Sequence, residues 1–331
     1  MPPKEKSSGM DIDWDGDAGV FLRRDALAAG CDDKTLARMV RAGLLHRIRR
    51  GAYIDASVWA GLDAVGRHRM TARAVLRTAH PSAVLTHVSA LVEQGVPVWN
   101  VDLGEIHLTR TDARSGRREA GVVHHRGALL PEEVLTCHGV QVSMPARAII
   151  ELSTMAGVES VLVSSNWLLH RGATTREELA RVAKAFECWP GSLRSDLAVR
   201  LSDGRCAWPG EARTSYLIWR HHLPRPVPQY EVHDEGGNVV ALLDFAFPEY
   251  GVFLEFDGAI KYERLRRRGE TVEDVIRREK RREELVCLLT GWICIRVTWE
   301  DLARPQATAA RIRRLLDTRR RHGSPRVVDP S

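Results

Sequence analysis

No stretch of about eighteen uninterrupted apolar residues occurs in this 331-residue chain, so no membrane-spanning helix is expected. The N-terminal "MPPKEKSSGMDIDWDGD" lacks the apolar segment of a secretion signal, and residues 1–14 read as a short disordered arm. None of the six cysteines (Cys31, Cys137, Cys188, Cys206, Cys287, Cys294) forms a C-x-x-C pair. That argues against a cysteine-paired zinc ribbon or a thioredoxin-like redox motif, and leaves reduced thiols of a cytosolic protein as the expectation. Lysine is scarce beside arginine. With 44% hydrophobic residues the chain is rich enough in apolar side chains to build real cores, which excludes a wholly disordered protein.

The charge that is present is positive and unevenly placed. The formal net charge is +6, and arginine clusters in "LLHRIRRGAY", "RLRRRG", "RREKRREE" and "RIRRLLDTRRRH". Guanidinium forks match phosphate geometry, and clustered positive charge concentrates a polyanion at the surface. Arginine-rich composition and solvated helix faces are the plainer explanation. The clustering favours nucleic acid as partner.

Residues 15–62 form the first segment. "FLRRDALAAG" carries a short helix pattern stopped by Gly30. "CDDKTLARMVRAGLL" follows, with Asp32 as N-cap, Leu36, Met39 and Val40 at helical spacing and Gly43 as the stop. "LLHRIRRGAYI" then alternates, with Leu45, Arg47 and Arg49 on one side and His46, Ile48 and Arg50 on the other, before a turn at Gly51. Two short helices and a basic hairpin have the layout of a winged helix-turn-helix. The second helix would present Lys34, Thr35, Arg38 and Arg41 to the major groove. The wing would place Arg47, Arg49 and Arg50 at phosphates. "AGLLHRIRRGAYI" resembles the N-terminal domain of the abortive-infection AbiEi-type antitoxins and their actinobacterial relatives. The resemblance implies a DNA-binding regulator with a toxin or another protein as further partner.

Residues 63–203 read as a mixed middle domain. Helices are expected in "AVGRHRMTARAVLRTAH", "LTHVSALVEQG", the long "PARAIIELSTMAGVESVLVSSNWLLHRG" and "TREELARVAKAF", and strands in "GEIHLTR", "GVVHHRG" and "GVQVS". This stretch is similar to the middle region of the same antitoxin-like proteins. It holds no catalytic constellation. His124 and His125 are adjacent in a strand and face opposite ways. Ser89 and Ser143 lack a nucleophile elbow.

Residues 204–321 follow the order α-β-β-β-α-β-α, which suits a mixed sheet flanked by helices; residues 322–331 are a tail. At its centre stands "VVALLDFAFPEYGVFLEFDG", an apolar hairpin carrying Asp244, Glu255 and Asp257. With a two-residue turn at Glu249–Tyr250, Asp244 lies opposite Glu255 on one face, and Leu243, Phe245, Phe247, Leu254 and Phe256 form the other. Opposed carboxylates repel unless compensated. Two compensations are open, an arginine or a divalent cation. Hard oxygen donors at this spacing suit Mg²⁺ or Mn²⁺, and the chain also supplies Glu211 and Lys261 nearby. This set favours the metal.

An acid on the preceding helix, then Asp, Glu and a lysine, is the plan of the P-D-(D/E)-x-K nucleases. "GEARTSYLIWRHHLPRPVPQYEV", "LLDFAFPEYGVFLEFDGAIKY" and "REKRREELVCLLTGWICIRVTWEDL" resemble the actinobacterial branch related to very-short-patch-repair endonucleases. The resemblance implies a restriction-endonuclease-like domain that hydrolyses phosphodiesters, with Asp244, Glu255 and Glu211 at the metal and Lys261 positioning water. Lys280, Arg281 and Arg282 are candidate phosphate contacts. Asp257 stands where the motif lysine is usual, and that keeps open a non-catalytic regulator with a degenerate nuclease fold. The expectation is thus a cytoplasmic, multidomain α+β protein that binds DNA.

Overall fold

The computed structural model describes residues 19–112, 116–258 and 271–321. Lys261, the expected N-terminal arm and the expected tail lie outside the described residues. The chain divides into two compact units, Met1–Ala156 and Gly157–Ser331. The division falls inside the stretch 63–203 that the sequence suggests is one middle part.

The first unit opens with β1 (Phe21–Leu22), α1 (Arg23–Ala28), α2 (Asp33–Arg41), β2 (Leu45–Arg49) and β3 (Ala52–Asp55), the strands forming a sheet in the order β1-β3-β2. Each helix start is held by an acid. Leu22 N–H donates to Asp25 (2.8 Å) and Thr35 N–H to Asp32 (2.7 Å), satisfying amides that the first helical turn leaves without an acceptor. Then follow α3 (Ala56–Gly61), α4 (Ala64–Leu76), β4 (Ala83–Leu85), α5 (His87–Glu93), β5 (Ile106–Arg110), β6 (Arg117–Glu119), β7 (Val122–His125), β8 (Val134–Cys137), β9 (Val140–Ser143) and α6 (Pro145–Met155). Their six strands form one sheet, β6-β7-β5-β4-β9-β8. The long helix expected from Pro145 onward is broken: Ala156 is extended (φ −120°, ψ 161°) and Gly157 caps the next helix.

The second unit contains α7 (Val158–His170), α8 (Arg176–Ala185), α9 (Ser192–Leu201), α10 (Pro209–Arg220), β10 (Val227–His233), β11 (Val239–Phe247), β12 (Val252–Asp257), α11 (Val272–Thr290), β13 (Ile293–Thr298), α12 (Trp299–Ala303) and α13 (Pro305–Arg321). Its sheet runs β10-β11-β12-β13, antiparallel at the first two contacts and parallel at the last. One core joins Phe245, Phe247, Leu254 and Phe256 to Leu217, Leu302 and Ile312 of the helices. A second joins Leu243, Ala246 and Phe253 to Val286 of α11. The expected α-β-β-β-α-β-α order is present, with the short α12 added.

Two glycines set the geometry around β12. Gly251 sits at φ 59°, a left-handed conformation that costs glycine little, and closes the single helical turn Pro248–Tyr250 between β11 and β12. At Gly210 a Cβ would meet the Phe256 ring at 2.0 Å, so only glycine lets the first turn of α10 approach β12 this closely.

Candidate nucleic-acid interface and carboxylate site

In the helix pair, Leu36 is buried with Leu45, Phe21 and Ala26, which fixes the rotation of α2. Lys34, Arg38 and Arg41 are then exposed, at i, i+4 and i+7 of one outer stripe. Thr35 is half-buried and accepts a weak hydrogen bond from Arg38 (3.4 Å). Asp33, the acid nearest this stripe, is taken up by Arg23 through Nε–H to Oδ1 (2.6 Å). Thus α2 presents a basic surface with its own carboxylates engaged.

The wing departs from simple alternation. β2 pairs with β3 through Arg47↔Tyr53 and then Arg49↔Ala52, so Ile48 is an extra, bulged residue. Arg47 stays exposed, on the side of Leu45. Arg49, expected beside it, is half-buried and lines a small cleft with Thr78, His80, Arg110 and Arg117. Arg50 is exposed at the tip, next to Gly51. The bulge separates Arg49 from Arg47, and sequence alternation cannot reveal it. On the opposite side His46 stacks on Trp59 with ring centroids 4.4 Å apart, anchoring the hairpin.

The hairpin of the second unit has the expected register. Phe245↔Leu254, Ala246↔Phe253 and Phe247↔Val252 pair, and the same register carried one step further sets Asp244 against Glu255. The connection is four residues, Pro248 to Gly251, two more than expected but added symmetrically. Asp244 and Glu255 are both 6% exposed. The ladder ends beside them. Asp244 Oδ2 accepts the Phe256 N–H (2.8 Å), a carboxylate acting in place of a backbone carbonyl.

The apolar face differs from expectation at one residue. Leu243 packs with Ala246 and Phe253 and not with Phe245 and Phe247. The cause lies on β10, whose pairing runs Pro228↔Phe245 and then Tyr230↔Leu243, stepping over Gln229 and Asp244. Gln229 is left-handed (φ 52°), so the strand pair kinks where Asp244 sits.

Arginine compensates these acids. Arg282 of α11 donates to Glu255 Oε2 (3.2 Å) and to the Leu242 carbonyl (3.0 Å), and also pairs with Glu279 (3.1 Å). Burial alone would lower its guanidinium, but Glu255, Glu279 and Asp244 outweigh burial and hold it above its ordinary value. Arg282, read from the sequence as a phosphate contact, is engaged by these carboxylates. Lys280 and Arg281 on the same helix are exposed. Asp257 pairs with Arg296 (3.0 Å), which also meets Glu283.

Glu211 is drawn into a cap. It is 5% exposed, and its Oε2 accepts the Trp208 N–H (3.4 Å) at the start of α10. Among the described residues no three His, Cys, Asp or Glu side chains converge as metal ligands. The described donors of this site are therefore two opposed carboxylates with a guanidinium already at one of them, short of a three-oxygen cation site.

The first unit contains a cluster that sequence reasoning missed. His87, His107 and His125 come from α5, β5 and β7. The His87 and His125 rings stack at 3.6 Å, and His107 Nδ1 lies 2.8 Å from His125 Nε2. Burial, reinforced by the neighbouring imidazoles, lowers His87 well below the usual histidine range and takes His107 and His125 down to about 4. His87 is left-handed (φ 53°), and its N–H donates to the buried Glu151 (3.0 Å). Ser89 is sealed in the same core, hydrogen-bonded to His68 Nε2 (2.8 Å) and accepting the His107 N–H (2.9 Å). Three histidines on separate elements leave no local spacing to read.

The family described as "Transcriptional regulator, AbiEi antitoxin" matches residues 15–54, the helix pair and wing. Two Mycobacterium tuberculosis proteins, "Uncharacterized protein MT2308" (strain CDC 1551 / Oshkosh) and "Uncharacterized protein Rv2248" (strain ATCC 25618 / H37Rv), are each 25% identical to this chain. Both alignments cover 292 residues, 86% of this chain and all of the relative. Among solved structures, the RV2827C protein from Mycobacterium tuberculosis aligns over 65% of this chain and 83% of its own at 16% identity, with a TM-score of 0.37.

Proposed function

We propose that this protein is a DNA-binding regulator that contacts duplex DNA through α2 and the wing. The observation that carries this reading is the exposed stripe Lys34, Arg38 and Arg41, joined by Arg47 and Arg50, in a segment matching a regulator family. Helix residues at this spacing reach base edges and phosphates in the major groove, while wing arginines add phosphate contacts. The test is fluorescence anisotropy with a 30-base-pair duplex over a salt series. Lys34→Ala/Arg38→Ala/Arg41→Ala is expected to weaken binding at least tenfold and to flatten the salt slope by about 0.9 per lost phosphate contact. Unchanged affinity and slope in this variant would rule out α2 as the reading helix.

A second reading, metal-dependent phosphodiester hydrolysis by the C-terminal sheet, draws support from the opposed Asp244 and Glu255. It also draws on charge: Asp244, Glu255, Asp257, Glu279 and Glu283 are five carboxylates around the two guanidiniums of Arg282 and Arg296. In this reading Arg282 would leave Glu255, and Asp244 and Glu255, with Glu211 released from its cap, would hold Mg²⁺ or Mn²⁺, which would supply charge neutralisation at phosphorus. Lys261 then takes the place of the missing motif lysine. Supercoiled plasmid incubated with each metal decides it. Nicking by the wild type that is lost in Asp244→Asn supports hydrolysis; no nicking with either metal leaves the regulator alone.

A further inference from the structure

The second unit contains a cleft that neither reading uses. It encloses about 660 Å³ and is lined by the start of α8, the end of α9, the last turns of α10 and the segment leading into β10, with Phe245 at its floor. Arg176, Arg200, Arg205 and Arg225 reach it from three directions, with His222 beside them. The one carboxylate in the lining, Asp203, is engaged by Arg205, which donates from Nε (3.1 Å) and Nη2 (2.8 Å). With Arg200 also paired to Asp196 outside the lining, the cleft keeps a positive excess that rests on Arg176 and Arg225.

Three of its arginines, Arg176, Arg200 and Arg205, are held in place, and Arg225 is exposed. Arg176 Nη2–H donates to the Arg200 carbonyl (3.2 Å), tying α8 to the end of α9. Arg200 pairs with Asp196 (3.1 Å) and Arg205 with Asp203, yet their side chains stay 69% and 54% exposed, leaving guanidinium N–H groups for a further acceptor. Phosphate is the anion that such planar forks fit best. The volume exceeds what a bare phosphate fills and suits a nucleotide-sized ligand.

An aromatic platform completes the set. Trp219 lies in the lining, is 39% exposed, and is supported by Tyr216 with ring centroids 5.7 Å apart. An indole fixed beside guanidiniums offers stacking to any nucleobase, and base–aromatic stacking contributes about 1–3 kcal/mol per base.

We propose that this cleft binds a nucleotide, its phosphate held by Arg176, Arg205 and Arg225 and its base stacked on Trp219. The shared chemistry is a phosphorylated nucleobase, supplied either by a single-stranded nucleic acid or by a free nucleotide. The proposal does not rest on the wing or on the carboxylate site, and the test separates it from the wing.

The experiment is fluorescence anisotropy of the full chain with a labelled fifteen-nucleotide oligothymidylate strand, with thymidine 5′-monophosphate and inorganic phosphate as competitors. Wild type is compared with Trp219→Ala, Trp219→Phe, Arg225→Ala, Arg176→Ala and Arg47→Ala/Arg50→Ala, each checked by circular dichroism melting. The expected result is strand binding that weakens at least tenfold in Trp219→Ala, Arg176→Ala and Arg225→Ala. It should persist in Trp219→Phe and in the wing variant. Competition by the monophosphate assigns the cleft to a free nucleotide; binding of the strand without it assigns the cleft to a nucleic acid. Absence of binding to both the strand and a fluorescent thymidine monophosphate, binding indifferent to the cleft variants in folded protein, or displacement by inorganic phosphate as effective as by the monophosphate overturns the proposal.

Discussion

At the residue scale the decisive group is Arg282. Asp244 and Glu255 are each 6% exposed, and buried carboxylates of like sign persist only with a compensating charge. Removing the guanidinium takes its compensating charge away from Glu255 and Asp244. Arg282→Ala is therefore expected to destabilise the protein by on the order of 2–3 kcal/mol, below the about 3–5 kcal/mol of a wholly buried pair because Arg282 is partly exposed. Urea unfolding followed by circular dichroism measures this. If the carboxylates accept a divalent cation, Mg²⁺ or Mn²⁺ should raise the melting temperature of Arg282→Ala more than that of the wild type. Equal shifts in both proteins would remove the support for hydrolysis. The histidine stack makes the second residue-scale prediction. His107 and His125 titrate at about 4 in the folded chain, well below the ordinary 6.5, and the unfolded chain therefore binds more protons between these values. Stability from this cluster is complete above about pH 6.5 and is lost as pH falls from there towards 4. Protonating both rings would set two N–H donors against each other across 2.8 Å. Melting temperatures of His107→Gln/His125→Gln should fall less steeply over this window than those of the wild type; parallel curves would show that the stack is not the titrating element. The facing of Asp244 and Glu255 was legible in the sequence, because it follows from a turn centred on Glu249–Tyr250; the observed connection is two residues longer but keeps that centre, so the register holds. The partner was not: Arg282 lies 27 positions from Glu255, and only the packing of α11 brings it there.

At the element scale, helix starts and the basic hairpin follow from local chemistry. Asp32 caps α2 and Gly51 turns the wing as the residue types demand. Both irregularities fall at non-glycine positions, Ile48 and Gln229, whose side chains carry no signal for a bulge or a left-handed backbone. They are imposed by pairing with a neighbouring strand. The bulge separates the wing arginines in exposure. Arg47→Ala is expected to lower the salt slope of duplex binding by about 0.9, and Arg49→Ala to leave it nearly unchanged. Equal slopes for the two variants would show that the bulge does not turn Arg49 away from DNA. A second prediction concerns α10. A methyl group at Gly210 has to displace Phe256, whose ring lies edge-on to Trp299 with centroids 4.9 Å apart. Gly210→Ala is expected to cost about 1–3 kcal/mol, the range of an overpacked core, despite alanine's better helix propensity. Chemical denaturation that shows stabilisation would mean the helix start shifts freely.

At the scale of the whole molecule, the class of fold was readable and its partition less so. Strand-and-helix order identifies a multidomain α+β protein. The separation at Ala156–Gly157 lies within a run of helical periodicity that only one glycine interrupts, and periodicity alone gives it no weight. Long-range strand order is similarly hidden: β4, which the sequence does not mark as a strand, lies between β5 and β9, which read as isolated short runs. The parallel contact of β12 with β13 also has a consequence in time. β12 is the most enclosed strand of its sheet, yet Val252 meets its partner Ile293 only after some forty residues have been synthesised. Until the ribosome delivers β13, the meander β10-β11-β12 presents an open edge carrying Phe253 and Leu254. This stretch of the nascent chain needs shielding in that interval, and completing the sheet is expected to be the late step in its folding.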